Sequence, residues 1–288
     1  MRIVKIGMVQ SRCVASTASN LENTVSLIGS AINLGAQIIC LPEMFKTLYF
    51  CQRQDYQNFA LAETIPGEST ACFSAIAKKH SVIIIAPLFE KRAEGIYHNT
   101  IAVIDSDGML AGIYRKMHIP HDPGFEEKYY FTPGDLGYKV FKTKYGNIGT
   151  LICWDQWYPE AARLTAMMDA EIIFYPTAIG WDCKEPAELG QHQLEAWKTI
   201  QRSHSIANGV FVCAVNRVGT EQDITFWGNS FVYNPFGILL GKASADKQEV
   251  MVIDCDLDQI NETRLQWPFF RDRRIDSYHK ITQHFIEE

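Results

Sequence analysis

Short apolar runs alternate with longer amphipathic stretches along the whole chain. Runs of four to nine residues rich in Ile, Val, Phe and Tyr predict strands. They lie at 3–9, 37–41, 82–86, 99–105, 109–114, 148–153, 171–175, 210–215, 225–233, 238–242 and 250–255. Apolar residues spaced three or four positions apart predict helices. These lie at 21–34, 69–80, 158–168 and about 189–207.

Some of these strands are joined by tight turns and others by helices. Asp105-Ser-Asp-Gly108 is the clearest hairpin signal, and Asn234-Pro-Phe-Gly237 marks another turn. Because both kinds of connection occur, a mixed sheet covered by helices is expected rather than a purely parallel one. No linker or repeat divides the chain, so residues 1–275 are predicted to form one α/β domain. The aromatic tail at 276–288 lacks a clear period and is predicted to pack against another subunit.

Composition and net charge limit the classes of protein to which this chain can belong. The 288 residues are 47% apolar and 21% charged, as in globular proteins, and the net charge of -6 arises without any basic run. Nucleic acid is therefore not an expected partner. No apolar segment is long enough to cross a membrane, and the first ten residues lack the features of a signal peptide. Eight cysteines without a CxxC pair indicate a reducing, cytoplasmic environment.

Three residues with reactive side chains lie at or just past the ends of predicted strands, where α/β sheets place reactive groups: Glu43, Lys116 and Cys153. Each has an ordinary explanation when taken alone, as a loop carboxylate, a surface lysine and an inert buried thiol. Together they form a complete set for amide cleavage. The thiol attacks a carbonyl carbon, the carboxylate moves the proton, and the ammonium stabilises the oxyanion. This chemistry requires no metal and no cofactor.

These residues fall in three ordered sequence blocks. The blocks are Leu41-Pro-Glu43, Tyr114-Arg-Lys-Met-His-Ile-Pro120 and Leu151-Ile-Cys-Trp-Asp-Gln-Trp-Tyr-Pro-Glu160. They resemble the signature blocks of the nitrilase superfamily of carbon-nitrogen hydrolases, and the resemblance extends over essentially residues 1–275. It implies a four-layer αββα sandwich with mixed sheets, assembled as a homodimer or a higher homo-oligomer.

The resemblance also implies a role for each residue. Glu43 is the general base, Lys116 stabilises the oxyanion and Cys153 is the nucleophile. Glu127, eleven positions after Lys116, matches a second glutamate of the superfamily, although Glu126 is adjacent. Proximity to Lys116 and to a following helix is expected to give Cys153 thiolate character.

Within the superfamily the chain most resembles the N-carbamoylputrescine amidohydrolases, through blocks at 123–135 and 174–180. Such an enzyme releases putrescine, carbon dioxide and ammonia by way of a carbamoyl thioester, within the agmatine route of polyamine synthesis. Relatives that act on N-carbamoyl amino acids tend to carry an arginine shortly after the nucleophile. This chain has Trp154-Asp-Gln-Trp157 there, which favours an amine-tailed substrate over an acid.

The candidate substrate-binding residues comprise aromatic, small and acidic side chains. They are Tyr49, Trp154, Ala178, Trp181, Asp182 and Glu185. The aromatic residues would line a slot for a four-carbon chain, and a carboxylate would hold its ammonium end. The alternative is that the loop around Asp182 is a solvated turn with Lys184 as its internal partner, and that the aromatic residues only pack.

Two other functions remain open. One is an amidase or nitrilase of the same superfamily that acts on a different small amide. The other, from another class, is a metal- or ligand-binding protein without catalysis. Its metal site would use His118, His121, Asp122 and Glu127, although Pro120 interrupts any helical presentation of the two histidines.

Overall fold

A computed structural model describes residues 1–287. The strands are β1 (Ile3–Gln10), β2 (Ile38–Cys40), β3 (Ile83–Ala93), β4 (Ile96–Ile104), β5 (Leu110–Arg115), β6 (Val140–Thr143), β7 (Gly146–Thr150), β8 (Ile172–Pro176), β9 (Gly180–Asp182), β10 (Phe211–Val215), β11 (Val218–Glu221), β12 (Ile224–Trp227), β13 (Phe231–Tyr233), β14 (Leu239–Lys242) and β15 (Glu249–Asp256). The helices are α1 (Thr17–Asn33), α2 (Glu68–His80), α3 (Glu127–Tyr130), α4 (Pro159–Met167), α5 (Ala187–Asn208) and α6 (Asp258–Gln266). Short 3-10 turns lie at Phe50–Gln52, Tyr56–Leu61, Cys153–Trp157, Ile275–Ser277 and His279–Thr282.

Two six-stranded mixed sheets form the centre of the molecule. The first sheet has the order β15-β1-β2-β3-β4-β5, and the second has the order β14-β13-β10-β8-β7-β6. The inner strands β1–β2–β3 and β7–β8–β10 run parallel, whereas the outer strands pair antiparallel. A small third sheet, β11-β12-β9, extends beyond them.

Side-chain alternation explains how each central strand serves two layers. In β2, Ile38 and Cys40 belong to the core between the two sheets, where they join Phe174 and Cys213 of the second sheet. Ile39 points the other way, into the core beneath α1 and α2. Helices α4 and α5 pack on the outer face of the second sheet. The layers are therefore helix, sheet, sheet and helix, and the predicted αββα sandwich is confirmed.

The structure corrects several predicted elements. The strand expected at 225–233 is two strands in different sheets, β12 and β13, because Gly228 and Asn229 adopt positive φ angles of 56° and 54° and turn the chain between them. Strand β7 stops at Thr150, three residues before Cys153. Strands β6, β9 and β11 and helix α6 were not predicted. Their short or mostly exposed sequences show little periodicity.

Beyond α6 the chain is largely exposed. The tail carries exposed apolar side chains at Ile275, Tyr278, Ile281 and Phe285. Its predicted contact with another subunit stays a prediction, and its last residue lies outside the described range. Among residues 1–287, none of the helices has the length and apolar character needed to span a bilayer.

Candidate active site

The ends of strands from both large sheets meet at one buried cluster. Glu43 follows β2 and Lys116 follows β5 in the first sheet, and Cys153 follows β7 in the second. Glu127 begins the short helix α3. All four side chains are buried, and the three charged ones are at most 1% exposed. The structure thus brings together the four residues that the sequence singled out for chemistry.

Lys116 is the centre of the charged cluster. Its Nζ lies 2.9 Å from Glu43 Oε1 and 2.6 Å from Glu127 Oε2. Burial opposes the ammonium charge, but the two carboxylates more than compensate and hold the pKa of Lys116 well above its usual value. An ammonium has three N–H donors, and the carboxylates take two of them. The third is available to a developing oxyanion.

Glu43 has one carboxylate oxygen held and one oxygen open. Oε1 accepts hydrogen bonds from Lys116 Nζ and, at 2.6 Å, from Asn99 Nδ2. Oε2 is buried and has no hydrogen-bond partner within residues 1–287. Because buried polar atoms are normally hydrogen-bonded, this oxygen is the one available to a donor that enters the site.

Glu127, and not its neighbour Glu126, is the second carboxylate of the cluster. Its Oε1 accepts a 2.8 Å hydrogen bond from the hydroxyl of Tyr49, while Oε2 binds Lys116. Burial raises the pKa of Glu127 to about 7, an effect that Lys116 partly opposes. The side chain of Glu126 is directed outward and hydrogen-bonds Gln54.

Cys153 begins a 3-10 turn in a strained backbone conformation, with φ at 41°. A positive φ is costly for a residue with a Cβ atom, and such strain recurs at functional sites. The Sγ atom lies 3.9 Å from the carbonyl oxygen of Ala178. Burial raises the pKa of the Cys153 thiol well above its usual value, and Glu43 adds to the rise while Lys116 opposes it. The expected thiolate character is therefore wrong for the resting site, because burial outweighs the ammonium.

Asp155 braces the turn that carries the nucleophile. Its Oδ2 accepts hydrogen bonds from Tyr114 Oη at 2.7 Å and from the backbone N–H of Ile152 at 2.9 Å. Its Oδ1 accepts from the backbone N–H of His118 at 3.0 Å and lies 2.7 Å from His118 Nδ1. One buried carboxylate thereby links the segment after Cys153 to both sides of Lys116.

A cavity of about 690 Å³ leads to Cys153 and Glu127. Four of the six residues predicted to bind substrate, Trp154, Ala178, Asp182 and Glu185, line it, and their role in binding stays a prediction. The remaining wall is formed by Pro120, Asp122, Pro123, Phe125, Trp157, Ile179, Gly180, Lys184, Gln193, Ala196 and Trp227.

Two of the predicted substrate-binding residues lie behind this wall. Tyr49 is buried and serves as the hydrogen-bond donor to Glu127. Trp181 sits in β9 between Gly180 and Asp182, so its side chain points away from the cavity. Its indole ring is packed against Gly190 of α5, where an added Cβ would come within 2.7 Å of it.

Acidic side chains outnumber basic ones in the wall of the cavity. Among the described residues 1–287, Asp122, Asp182 and Glu185 line it, and the one lysine in the wall, Lys184, forms an ion pair with Asp223 at 2.7 Å. No arginine among residues 1–287 lines the cavity. Such a wall favours a cation over a carboxylate.

Comparisons with known proteins agree with this geometry. A family model described as carbon-nitrogen hydrolase matches residues 5–265. The chain belongs to that family. It is 42% identical to an N-carbamoylputrescine amidase from Solanum lycopersicum, over 96% of this chain and 94% of the relative. It is 39% identical to a citrullinase from Francisella tularensis, over 99% and 100%. The crystal structure of a carbon-nitrogen hydrolase from Helicobacter pylori superposes with a TM-score of 0.95 at 45% identity, covering 99% of this chain and 100% of that one.

Two of the four candidate metal ligands of this hydrolase, His118 and Glu127, are engaged in other contacts. His118 binds Asp155 and stacks on Tyr158 at a ring separation of 3.7 Å, and Glu127 is held by Lys116 and Tyr49. Within residues 1–287, no group of three His, Cys, Asp or Glu side chains has the arrangement of a metal site.

Sequence reasoning missed several polar residues that support the hydrolase site. Asn99 donates a hydrogen bond to Glu43, and Asp155 holds the segments next to Lys116 and Cys153. Asn216 and Arg217 directly follow β10, the same position relative to a strand that drew attention to Glu43 and Cys153. Their position after a strand would have identified them, but neither side chain acts as a nucleophile or a general base.

Proposed function

We propose that this carbon-nitrogen hydrolase cleaves N-carbamoylputrescine to putrescine, carbon dioxide and ammonia. The observation that carries the proposal is the charge of the cavity wall. Asp182 and Glu185 line the cavity as partly exposed residues, Lys184 is paired with Asp223, and Cys153 is a buried residue of the same wall. A molecule with a neutral ureido group at one end and an ammonium at the other would place the ureido group at Cys153 and the ammonium near these carboxylates. The N-carbamoylputrescine amidases among its relatives support the same substrate.

The first half-reaction forms a covalent intermediate. Sγ of Cys153 attacks the ureido carbon while Glu43 Oε2 takes the thiol proton. The carbonyl oxygen becomes an oxyanion, which the third N–H of Lys116 stabilises. Glu43 then gives the proton to the terminal nitrogen, which leaves as ammonia, and an N-alkylcarbamoyl thioester remains on Cys153.

The second half-reaction uses the same base again. Glu43 removes a proton from water, and the hydroxide attacks the thioester carbon, with Lys116 again stabilising the oxyanion. The C–S bond breaks, and Sγ regains the proton from Glu43. The released carbamic acid decomposes to putrescine and carbon dioxide. Glu127 holds Lys116 in place through both steps.

The proposal extends to the setting of the enzyme. A thiol nucleophile must stay reduced, which fits a cytoplasmic location. The exposed apolar side chains of the tail, such as Ile281 and Phe285, support association of subunits into a homo-oligomer.

Ammonia release by the purified protein tests this function. N-Carbamoylputrescine is compared with N-carbamoyl-β-alanine at matched concentration, and Cys153→Ser serves as the control. We expect strong preference for the amine-tailed compound and loss of turnover in the variant. Preference for the acid would overturn the substrate but retain the chemistry, and turnover by the variant would overturn the mechanism.

A further inference from the structure

A buried ion pair lies next to the catalytic cluster and has no part in the chemistry described above. Arg217 follows β10, and Glu221 ends β11. Arg217 Nη2 lies 2.5 Å from Glu221 Oε1, and both side chains are almost completely buried. Burying two charges is unfavourable unless the remaining donors and acceptors are also satisfied. The partners that satisfy them therefore show what the pair holds.

Within residues 1–287, the other side-chain hydrogen bonds of the pair all go to the backbone of one loop, residues 43–49, and only Nε of Arg217 is left without a partner. Arg217 Nη1 donates to the carbonyl oxygen of Met44 at 3.1 Å, and Nη2 donates to that of Thr47 at 2.9 Å. The second oxygen of the carboxylate, Glu221 Oε2, accepts from the backbone N–H of Tyr49 at 2.6 Å. Nη1 also lies 3.5 Å from the carbonyl oxygen of Glu43, so the ion pair contacts the backbone of the 43–49 loop at four points.

Each end of the 43–49 loop is connected to one of the two carboxylates of the cluster. Glu43 begins the loop, and Tyr49, which holds Glu127, ends it. Between them Met44 has a positive φ of 55°, a conformation that a non-glycine residue keeps only when its surroundings enforce it. The hydrogen bond from Arg217 to the Met44 carbonyl is such a constraint.

The ion pair also connects the two halves of the active site. Arg217 follows a strand of the second sheet, the sheet that carries Cys153, whereas Glu43 follows a strand of the first. The guanidinium group crosses from one to the other. Its planar fork contacts two carbonyls and a carboxylate together, which a lysine ammonium does not reproduce.

We propose that Arg217 and Glu221 are positioning residues, which fix Glu43 and Glu127 relative to Cys153 through the 43–49 loop. This inference goes beyond the proposed function, since it holds for whichever small amide the hydrolase cleaves. Neither residue touches the reacting atoms. Their effect is expected on the rate of the chemical step rather than on substrate binding.

The test uses Arg217→Lys and Glu221→Gln, with Arg264→Lys as the matched control. Arg264 is a half-buried arginine of α6, well apart from the 43–49 loop. It donates to the backbone carbonyl oxygen of Asn208, the last residue of α5, and packs on Phe270. Two measurements are made on each full-length protein. One is kcat and KM for the best of a panel of small amides that includes N-carbamoylputrescine. The other is peptide-resolved hydrogen exchange of residues 44–49, which needs no substrate.

We expect both test variants to lose about 10- to 100-fold in kcat with KM changed by less than about twofold, as displacement of a catalytic group by about 1 Å would cause. Exchange across residues 44–49 should accelerate in both, and Arg264→Lys should change neither measurement. Wild-type kcat in a folded test variant would overturn the proposal, as would a lower kcat with wild-type exchange. If Arg217→Lys fails to fold, the milder Glu221→Gln decides by the same criteria.

The same measurements distinguish failure of the proposed function from failure of the positioning roles. If wild-type protein cleaves another amide of the panel and leaves N-carbamoylputrescine intact, the substrate is wrong, and the positioning roles are judged on the amide that is cleaved. If no amide is cleaved, unchanged exchange in the variants overturns the positioning roles and accelerated exchange supports them.

Discussion

The hydroxyl of Tyr114 donates a 2.7 Å hydrogen bond to Asp155 Oδ2, between the strand that ends next to Lys116 and the turn that begins at Cys153. Both residues are fully buried. The segments that carry Lys116 and Cys153 are therefore joined by a direct contact. Substitution of Tyr114 removes one hydrogen bond from this contact, whereas substitution of Asp155 removes the carboxylate that accepts several.

Asp155→Asn should be far more damaging than Tyr114→Phe. The phenylalanine removes one hydroxyl and should lower the free energy of unfolding by about 1 kcal/mol. The asparagine presents N–H donors to a site where only acceptors fit, and it should cost about 3 kcal/mol. Urea denaturation of both variants provides the measurement. Equal losses would show that Asp155 does not organise this region.

Replacing Cys153 with alanine should reduce kcat by about 10⁴-fold or more, because the covalent route is lost. Cys213→Ala is the matched control, since Cys213 is equally buried but lies within β10, in the core between the sheets. It should retain activity. The comparison is made by ammonia release, and comparable losses in the two variants would contradict a specific role for Cys153.

Alkylation of Cys153 should be slow at neutral pH. Because burial raises its pKa, the resting side chain is a thiol, and the reactive thiolate becomes populated only as the pH approaches the raised value. The rate with iodoacetamide should therefore rise about tenfold per pH unit from about pH 6 to about pH 9 without a plateau. Peptide-resolved mass spectrometry gives the rate, with the exposed Cys183 as an internal reference for accessible thiol. A plateau below about pH 8 would reveal a stable thiolate and refute the burial argument.

Asp182→Asn and Glu185→Gln should raise KM for N-carbamoylputrescine by about tenfold together, since each removes a charge that faces the ammonium end of the substrate. The effect on kcat should be small, because the reacting atoms lie at the other end of the cavity. Glu188→Gln, an exposed carboxylate in the first turn of α5 outside the cavity wall, is the control. An unchanged KM would remove both residues from substrate recognition.

Gly190→Ala and Gly29→Ala should have opposite effects on stability, although both place a methyl group in a helix. At Gly190 the new Cβ meets the Trp181 ring at 2.7 Å, and overpacking should cost about 1–3 kcal/mol. At Gly29 nothing lies within 4 Å, so the better helix propensity of alanine should stabilise by about 1 kcal/mol. Thermal unfolding distinguishes them, and a neutral Gly190→Ala would mean that Trp181 is free to move.

The sequence predicted features that depend on short-range pattern. Helix α2 was expected at 69–80 and spans Glu68–His80. The strand-end rule selected Glu43, Lys116 and Cys153 because apolar runs end just before each of them. Features that depend on which faces meet were not accessible. Trp181 was expected in the cavity, but strand alternation in β9 turns it toward α5.

The sequence also could not predict properties that depend on burial, such as a shifted pKa or a buried ion pair. The raised pKa of Cys153 is set by its burial, which outweighs the nearby Lys116, and burial is a property of the packed molecule. From the sequence alone, the spacing of Arg217 and Glu221, four residues apart, indicates an ordinary surface ion pair. Only the fold shows that both members are buried against the 43–49 loop.

The active site is divided between the two sheets, with Glu43 and Lys116 supplied by one and Cys153 by the other. Catalysis therefore depends on the apolar core between the sheets, where side chains such as Ile38 and Phe174 keep the two halves in register. A partly folded chain with both sheets formed but not yet packed would possess every catalytic residue and no activity. Turnover would thus report whether one sheet has docked on the other.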